Sequence, residues 1–579
     1  MEKLRHSCSH LMAAAVLELW PKAKLTLGPA IEDGFYYDID FGDGGAAGAV
    51  KISEEDFPKI EEKMHDVVKS WKSFEKIEVY KAQALKDFKG NEYKEEIIEG
   101  LTDEQITYYK SGDFIDLCRG GHVENPSKEL KYFKLLSVAG AYWRGDEKNK
   151  MLTRIYGTIF PLQKELDEYI TLKEEAKKRD HRKIGKDLNL YLLSEEVGPG
   201  LLLLKPNGAI IRREIENFIV TEQTKRGYQH VYTPHIGRKQ LWKTSGHWDL
   251  YRDKMYAPMK VDDDEYLVKP MNCPFHMMIY KSQPRSYREL PLRLAEIATV
   301  YRYEKPGELS GMLRVRHITQ DDSHIFCRES QVVDEFIGVF DYTIFLLNTF
   351  GLSNFYLRLG LRSPKEKYLG NDAIWDKAEK EIVKAIEKRG LEFVKSEGDA
   401  AFYGPKLDVI IKDSLGREWQ CGTIQVDFML PERFGLEYIN EKGEIDRPAL
   451  IHRAPLGSLE RFMAILIENY AGNFPTWLTP IQVKVLPITE KHLDYAMNVL
   501  ASLKSVGIRA EIDDRNDRLQ AKIRDAQLEK VSYMFIIGDR EQEAKKVAVR
   551  KRNGEDLGSK DLEEFIKALR KEIDEKALN

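Results

Sequence analysis

The sequence predicts a multidomain protein of mixed α+β and α/β fold. The chain has 579 residues, more than a single hydrophobic core can organise. Residues 163–190 alternate positive and negative charges and contain few apolar side chains, a pattern typical of a solvated helix between domains. From residue 482 onward, apolar runs of strand length alternate with amphipathic helical runs. This alternation indicates a small α/β domain with a mostly parallel sheet.

These boundaries divide the chain into four segments. We predict an N-terminal α+β domain over residues 1–160, a charged linker helix over 161–190, a large central domain over 191–477 and a C-terminal α/β domain over 478–579. In the last domain the expected order is strand 482–486, helix 491–506, strand 509–513, helix 519–531, strand 533–537 and strand 546–550.

The composition is that of an ordinary globular protein. The net charge is −5, so any nucleic-acid contact must come from local basic surfaces. No run of 18 apolar residues occurs, and the first segment lacks the features of a secretory signal. The five cysteines form no disulfide framework, which fits a reducing compartment. We therefore expect a cytoplasmic protein that does not span a membrane.

The N-terminal segment "LRHSCSHLMAAAVLELW" carries two histidines four residues apart, His6 and His10. On a helix they would share one face, as metal ligands or as a paired acid and base. Two surface histidines near a poorly ordered chain end are a third possibility. An H-E-x-x-H protease is disfavoured, because Ser7 stands where that motif needs Glu.

The central domain offers one thiol and two imidazoles as candidate metal ligands. Cys273 lies in the tight turn of "KPMNCPFHM", His324 in "VRHITQDDSHIFC", and His452 where a strand runs through a glycine turn into a long apolar helix (450–472). Each alone could be an ordinary buried residue. Together they are the three-ligand set of a zinc site with an open fourth position.

Arginines near the same segments are suited to bind a nucleoside triphosphate. Arg302, Arg314 and Arg461 lie beside strand-like or helix-start segments rather than in a charge run. Neither a Walker A motif nor a G-x-G-x-x-G motif before a helix is present. A triphosphate would therefore be held by side chains, and guanidinium groups make fixed multidentate bonds to phosphate.

Several of these phrases resemble one enzyme family. "VYRYE" (300–304) and its following loop resemble motif 2 of class II aminoacyl-tRNA synthetases, "GSLERF" (457–462) resembles motif 3, and residues 234–256 resemble motif 1, whose proline is Pro234 here. With "MNCP", "AFYGPKLD" and "WQCGTIQVDF", the chain resembles the threonyl-tRNA synthetase family up to about residue 571. The resemblance implies a central antiparallel-sheet core that activates L-threonine with ATP and charges tRNA(Thr).

The resemblance also implies the residues of the catalytic centre, with one zinc ion per subunit and Mg²⁺ accompanying ATP. The implied zinc ligands are Cys273, His324 and His452, and the implied catalytic residues are Arg302, Arg461 and Lys406. The implied ATP contacts are Arg302, Glu304, Arg314, Ile318, Gln420, Thr423 and Arg461, and the implied threonine contacts are Gln320, Asp322, Tyr403, Cys421, Gln425 and Ser458. Ile318 departs from the family, which usually stacks Phe on adenine at this position.

The N-terminal domain resembles the family's bacterial-type editing domain, which hydrolyses mischarged Ser-tRNA(Thr). The implied editing residues are His6, His10, Tyr37, Lys94, Asp116, Cys118 and His122. By itself the pairing of His6 and His10 with Cys118 and His122 allows either a zinc site or a metal-free hydrolytic cleft, and the family uses the latter. Many relatives carry an extra small domain before this one, whereas here five residues precede His6; we expect either a naturally short chain or a truncated one.

The C-terminal domain resembles the family's anticodon-binding domain. Its implied anticodon contacts are Asn516, Arg524, Lys530, Glu541 and Arg550, with Lys530 where Arg is common. Expected partners are tRNA(Thr), ATP, L-threonine and a second copy of the chain in a homodimer formed at motif 1. The alternatives are a synthetase for serine or proline, which the zinc set disfavours, and an RNA-binding regulator that has lost tRNA charging.

Overall fold

The computed structural model describes residues 1–42, 51–146, 148–365, 368–413 and 416–578. The chain forms two compact units, Met1–Glu174 and Glu175–Asn579. In the part of the chain that is described, no helix combines the length and the apolarity that are needed to cross a lipid bilayer.

The first unit packs helices on a five-stranded antiparallel sheet. Its first helix, Glu2–Leu19, is buried over most of its length and contacts the helix Phe57–Ser70 and the strand Gly34–Asp40. The strands of this sheet are Lys24–Leu25, Ala30–Ile31, Gly34–Asp40, Tyr132–Tyr142 and Met151–Phe160. A second antiparallel sheet comprises Glu75–Tyr80, Gln105–Ser111 and Phe114–Leu117. Further helices are Lys81–Asp87, Glu92–Gly100 and Pro126–Glu129. This unit has the mixed α+β architecture that the sequence predicts.

The second unit is built on an eight-stranded sheet. In spatial order its strands are Gln229–His230, Leu292–Tyr301, His317–Cys327, Ala449–Ala454, Glu418–Asp427, Lys406–Lys412, Phe355–Leu361 and Val394–Glu397. Pairing is antiparallel except at the two edges, where Gln229–His230 and Val394–Glu397 pair in parallel. The longer helices of this part are Pro206–Lys225, Val332–Thr349, Asp372–Arg389 and Leu459–Tyr470.

Smaller elements surround this sheet. They are the strand pair Tyr191–Leu193 and Leu202–Leu204, the sheet of Ile236–Arg238, Met259–Val261 and Asp264–Val268, the pair Tyr438–Ile439 and Ile445–Asp446, and the helices Gln240–Thr244, His247–Leu250, Cys273–Lys281 and Met429–Arg433. Cys273 is thus the first residue of a helix rather than part of an isolated turn, with Pro274 in the first helical turn, where a missing backbone N–H costs nothing.

The charged segment differs from its prediction, because it forms two helices, Gln163–Arg179 and His181–Asp187. The first is solvated and buries only Leu166, as its composition predicts. The second is capped by Asp180 and buries His181, Ile184 and Gly185. The ring of His181 lies 2.7 Å from the Glu468 carboxylate through Nδ1, so this half belongs to the packed interior of the second unit.

The C-terminal region forms a five-stranded sheet in the order Ala510–Ile512, Val483–Pro487, Tyr533–Ile537, Lys546–Lys551 and Asp556–Asp561, with helices Leu493–Ser505, Leu519–Leu528, Asp539–Ala544 and Leu562–Asp574. The first two pairings are parallel and the last two antiparallel. The expectation of a mostly parallel sheet is therefore wrong for half of the sheet, because a hairpin after residue 545 adds strands without crossover helices.

Candidate active sites

The three candidate zinc ligands of the second unit lie together although they are far apart in sequence. His324 and His452 are directly opposite each other on neighbouring antiparallel strands, and Cys273 begins a nearby helix. All three residues are buried, and their ligand atoms lie within 4.8 Å of one another. Cross-strand pairing places the two imidazoles on one face of the sheet.

The free ring nitrogens fit a metal ion. His324 Nε2 and His452 Nδ1 are buried without a hydrogen-bond partner among the described residues. The opposite nitrogens are partnered, since His324 Nδ1 lies 2.9 Å from His276 Nδ1 and His452 Nε2 lies 2.9 Å from Asp427 Oδ2. Metal-bound histidines have this arrangement, with one nitrogen on the ion and the other held by a partner. Burial lowers the pKa of His324 and raises that of the Cys273 thiol, so a metal would displace the thiol proton.

A cavity of about 330 Å³ opens beside these ligands. Many of the predicted site residues line it: Cys273, Arg302, Ile318, Gln320, Asp322, Tyr403, Lys406, Gln420, Cys421, Thr423, Gln425, His452, Ser458 and Arg461. His324 is fully buried behind it. Sequence reasoning did not identify Met271, Asn272 and Arg453, which also line the cavity.

Glu304 and Arg314 lie outside the lining of this cavity and bind each other. Arg314 Nη2 donates to Glu304 Oε2 at 2.9 Å, and Lys254 Nζ donates to the same oxygen at 2.9 Å.

Two arginines in the cavity lining are suited to bind phosphate. Arg302 Nη2 donates to the weak acceptor Met271 Sδ at 3.3 Å, the guanidinium lies over the Tyr251 ring, and Nε is buried without a partner among the described residues. Arg461 lies in the first turn of the helix Leu459–Tyr470, which Ser458 caps. Its Nε donates to the Leu313 carbonyl at 2.9 Å, which fixes the guanidinium. The helix N-terminus adds further attraction for an anion.

A buried carboxylate that sequence reasoning missed organises one side of the cavity. Asp408 Oδ1 accepts from Gln420 Nε2 and Thr423 Oγ1, both at 2.8 Å, and its Oδ2 accepts from Lys406 Nζ at 2.8 Å. Asp408 is completely buried. The available signal was one acidic residue inside the apolar strand "KLDVII", since buried charges need partners.

The first unit contains a second cavity, of about 430 Å³, which His6, His10, Tyr37, Lys94, Asp116 and Cys118 line with other residues. His6 Nε2 lies 3.4 Å from Cys118 Sγ and 3.3 Å from His10 Nε2. His122 is outside the lining, with Nε2 3.3 Å from Cys118 Sγ. His6 and His10 share one face of the first helix, as their spacing predicts. The four side chains could also hold a metal ion, so their geometry is compatible with a metal site as well as with a metal-free hydrolytic cleft.

Burial determines the protonation states of the histidine and cysteine side chains at this second cavity. Desolvation lowers the pKa of His6 and His10 and lowers that of His122 to about 2. Desolvation likewise raises the pKa of Cys118 to about 11. At neutral pH the site therefore presents neutral imidazoles and a thiol.

A buried carboxylate holds the polar side of the second cavity. Lys94 Nζ lies 2.6 Å from Asp116 Oδ1, and the Tyr37 hydroxyl donates to Asp116 Oδ2. His10 Nδ1 lies 3.6 Å from the same Asp116 oxygen. Sequence reasoning missed Ser7, whose Oγ lies 3.1 Å from His122 Nδ1.

The five predicted anticodon contacts lie on different elements of the C-terminal sheet domain. Asn516 is in the exposed loop before the helix Leu519–Leu528, and Arg524 is on that helix. Lys530 follows it with a positive φ of 59°. Glu541 lies in the helix Asp539–Ala544, and Arg550 lies on the strand Lys546–Lys551.

Family models match three regions of the chain. The class II tRNA synthetase core domain (G, H, P, S and T) matches residues 256–470, an anticodon binding domain matches residues 482–572, and the second additional domain of threonyl and alanyl tRNA synthetases matches residues 106–156. The matches follow the order that the resemblance implies.

Similar proteins carry a consistent name. A threonine–tRNA ligase of Deinococcus deserti is 50% identical over 560 residues, covering 95% of this chain and 85% of the relative. The threonine–tRNA ligase of Cytophaga hutchinsonii is 51% identical over 98% of this chain and 88% of the relative. The RNA binding domain of threonyl-tRNA synthetase from Cryptosporidium parvum is 39% identical with a TM-score of 0.65, covering 68% of this chain and 98% of that chain. On this identity over nearly its whole length, the chain belongs to the threonine–tRNA ligase family of class II aminoacyl-tRNA synthetases.

Proposed function

We propose that this chain activates L-threonine with ATP, transfers it to tRNA(Thr) and hydrolyses Ser-tRNA(Thr) formed in error. The observation that carries the proposal is the zinc-type ligand set Cys273, His324 and His452, of which Cys273 and His452 line a cavity that also contains arginines. The histidine and thiol cavity in the first unit supports the hydrolytic activity. We assign editing to residues 1–160, a linker to 161–190, aminoacylation to 191–477 and anticodon binding to 478–579.

We propose that one Zn²⁺ binds Cys273, His324 and His452, which the two free ring nitrogens support. When bound, the ion would supply a Lewis acid to which the amino group and the hydroxyl of threonine can bind. Asp322, in the cavity lining, accepts the hydrogen of that hydroxyl. Valine has no hydroxyl and is rejected, whereas serine lacks only a methyl group, a loss of about 1–3 kcal/mol.

Activation places charge on the α-phosphate as the threonine carboxylate attacks it. Arg302 stabilises this charge, because its guanidinium lines the cavity and its buried Nε has no partner among the described residues. Arg461, fixed by the Leu313 carbonyl, holds the pyrophosphate end, with Mg²⁺ accompanying ATP. Gln420 and Thr423 bind the adenosine while Asp408 orients them, and Lys406 completes the polar wall.

The test of this proposal is amino-acid-dependent exchange of pyrophosphate into ATP with each of the twenty amino acids. We expect exchange with threonine, weak exchange with serine and none with valine. Removal of zinc by a chelator should abolish the threonine signal, and added zinc should restore it. A zinc-loaded chain that does not exchange with threonine would exclude the proposal, and exchange with proline or with serine alone would favour the corresponding synthetase.

We propose that editing proceeds without a metal in the first unit. His6 deprotonates the attacking water, because its imidazole is neutral at pH 7 and lies in the cavity lining. Lys94 is paired with Asp116, so it donates a hydrogen bond that orients the water or the ester. Cys118, in the cavity lining, restricts the space for the methyl group that distinguishes threonine from serine, and the His122 ring holds the Cys118 sulfur in place.

Editing has its own test, because deacylation can be measured apart from activation. Purified chain should hydrolyse Ser-tRNA(Thr), and a chain with both His6→Ala and His10→Ala should not. Threonine-dependent exchange should be unchanged in that variant. Deacylation that survives the double substitution would place the hydrolytic site elsewhere.

We propose tRNA(Thr) as the nucleic-acid partner, bound in part by the C-terminal residues Asn516, Arg524, Lys530, Glu541 and Arg550. A homodimer through the motif 1 segment around Pro234 is supported by two exposed apolar side chains, since Tyr232 is 93% and Ile236 48% exposed in the single chain. All five cysteines are free and buried, which fits the cytoplasm as the compartment.

A further inference from the structure

The histidine behind the proposed zinc ligand His324 lies in a chain of hydrogen bonds. His276 is completely buried in the helix Cys273–Lys281, and its Nδ1 lies 2.9 Å from His324 Nδ1. On its other side, His276 Nε2 lies 3.3 Å from Glu296 Oε2. Glu296 is buried on the strand Leu292–Tyr301, which pairs with the strand of His324.

The direction of hydrogen donation along these hydrogen bonds decides whether His324 can bind a metal. A metal on His324 Nε2 requires a lone pair there, so the ring hydrogen must be on Nδ1. That hydrogen is then donated to His276 Nδ1, which leaves the hydrogen of His276 on Nε2. The acceptor facing this nitrogen is the Glu296 carboxylate.

A neighbouring amide could support the opposite direction. Asn272 Nδ2 lies 3.0 Å from His276 Nε2. Donation from this amide would reverse the direction of hydrogen donation between His276 and His324 and leave a hydrogen on His324 Nε2. The amide nitrogen is held on this side, because Asn272 Oδ1 accepts from Lys269 Nζ at 2.9 Å, and Asn272 Nδ2 also donates to Glu296 Oε2 at 2.8 Å. Of these two groups at His276 Nε2, only the Glu296 carboxylate can accept a hydrogen. The direction that leaves His324 Nε2 free for a metal therefore depends on Glu296.

We propose that His276 and Glu296 are positioning residues that keep the metal-facing nitrogen of His324 unprotonated and its ring fixed. This inference rests on the proposed zinc site. The segment 269–276 then has two roles, since it supplies the ligand Cys273 and also the partner of a second ligand. Partners of metal-bound histidines usually contribute 10–100-fold to metal affinity, so neither residue needs to touch the substrate to matter.

The experiment measures zinc affinity of the full chain by competition with a chromophoric chelator. Glu296→Gln and His276→Leu should each weaken zinc binding by about 10–100-fold. His276→Asn should retain most of the affinity, because its side-chain oxygen can accept the hydrogen from His324 Nδ1. Replacement of zinc by Co²⁺ gives a second readout, and we expect the visible cobalt spectrum to change in Glu296→Gln.

The matched control is Glu222→Gln, which disrupts the pairing of another buried glutamate, with Arg226, outside the candidate metal sites. It should leave zinc affinity unchanged. Wild-type zinc affinity in both Glu296→Gln and His276→Leu would overturn the proposed role of His276 and Glu296, provided that Cys273→Ala loses the ion as the proposed zinc site requires. A wild-type chain without stoichiometric zinc would overturn both the zinc site and this role. If Glu296→Gln does not fold, the comparison of His276→Leu with His276→Asn decides the question.

Discussion

The histidines of the two proposed sites differ in which ring nitrogens have partners. In the second unit, His324 and His452 each have one nitrogen with a partner and one without, which suits metal ligands. In the first unit, His6 Nε2 faces both the Cys118 thiol and the His10 ring. There the neutral imidazole can accept a proton from water, which is the property that a general base needs.

The lowered pKa of His6 predicts the pH dependence of editing. Desolvation favours the uncharged ring, so protonation requires a pH below the ordinary histidine value of about 6.5. The base is therefore more than half unprotonated at the pH where a solvent-exposed histidine is half protonated. We expect the single-turnover rate of Ser-tRNA(Thr) hydrolysis to keep more than half of its pH 8 value at about pH 6.5 and to fall under more acidic conditions. A rate already halved at pH 6.5 would contradict this role of His6.

Ile318 predicts an effect on ATP binding. It lines the cavity at the position where the family usually has Phe, and an aliphatic side chain lacks the stacking contribution of about 1 kcal/mol. We expect Ile318→Phe to lower the Michaelis constant for ATP about fivefold in pyrophosphate exchange. Ile318→Leu is the control and should change it little. An unchanged constant in Ile318→Phe would show that the side chain does not cover the base.

At the scale of elements, the register of two strands explains the side of the cavity that we propose for adenosine. Asp408 and Thr423 are direct partners on the strands Lys406–Lys412 and Glu418–Asp427, so the carboxylate reaches residues of both strands. One buried acceptor thereby fixes Lys406, Gln420 and Thr423. The shape of this wall depends on the register of the sheet rather than on any local motif.

Asp408→Asn should therefore impair ATP use more than it impairs folding. The amide can accept at one oxygen only and presents hydrogens to Lys406 Nζ, so at least one of the three side chains is released. A displacement of about 1 Å can cost about 100-fold in rate, and we expect kcat/KM for ATP to fall by about 10–100-fold. The thermal midpoint reports any folding defect. Asp446→Asn, at a hydrogen bond with Tyr438 outside the cavity, is the control; an equal loss there would refute a specific role of Asp408.

Sequence patterns predict the local elements of the site, but they do not predict the contacts between elements that are distant in sequence. Local patterns gave the strand, glycine turn and helix around His452 and gave the strand Tyr533–Ile537 to the residue. They could not give the pairing of His324 with His452, 128 positions apart, because register depends on the whole sheet. For the same reason His276 and Glu296 were missed, since their contacts with each other and with His324 join separate elements.

At the scale of the whole molecule, the exposed motif 1 segment predicts the oligomeric state. Tyr232 and Ile236 expose 93% and 48% of their surface in the single chain, and a dimer interface would remove both from water. Tyr232→Glu combined with Ile236→Glu should halve the mass in sedimentation velocity, because the charges would be buried without partners. Met278→Glu, at another exposed apolar position, should leave the mass unchanged. A wild-type chain that sediments as a monomer would refute the homodimer.

The division of the chain into two units predicts that synthesis and editing can be separated. The first unit has its own hydrophobic core, and the cavity with His6 and Cys118 is lined from residues of that unit alone. The cavity with Arg302 and Cys273 is lined from the second unit alone. Since each site is complete within its own unit, residues 175–579 expressed alone should still exchange pyrophosphate with threonine.

The same fragment should accumulate Ser-tRNA(Thr), because hydroxyl recognition admits serine and the hydrolytic site is missing. The full chain supplied with serine, ATP and tRNA should keep this product low while it consumes ATP. Residues 1–174 added separately provide the matched test, since a folded editing unit should lower the level of Ser-tRNA(Thr) again without affecting threonine activation. If the folded fragment 175–579 forms as little Ser-tRNA(Thr) as the full chain, serine is rejected before transfer and the need for the first unit's cavity is refuted.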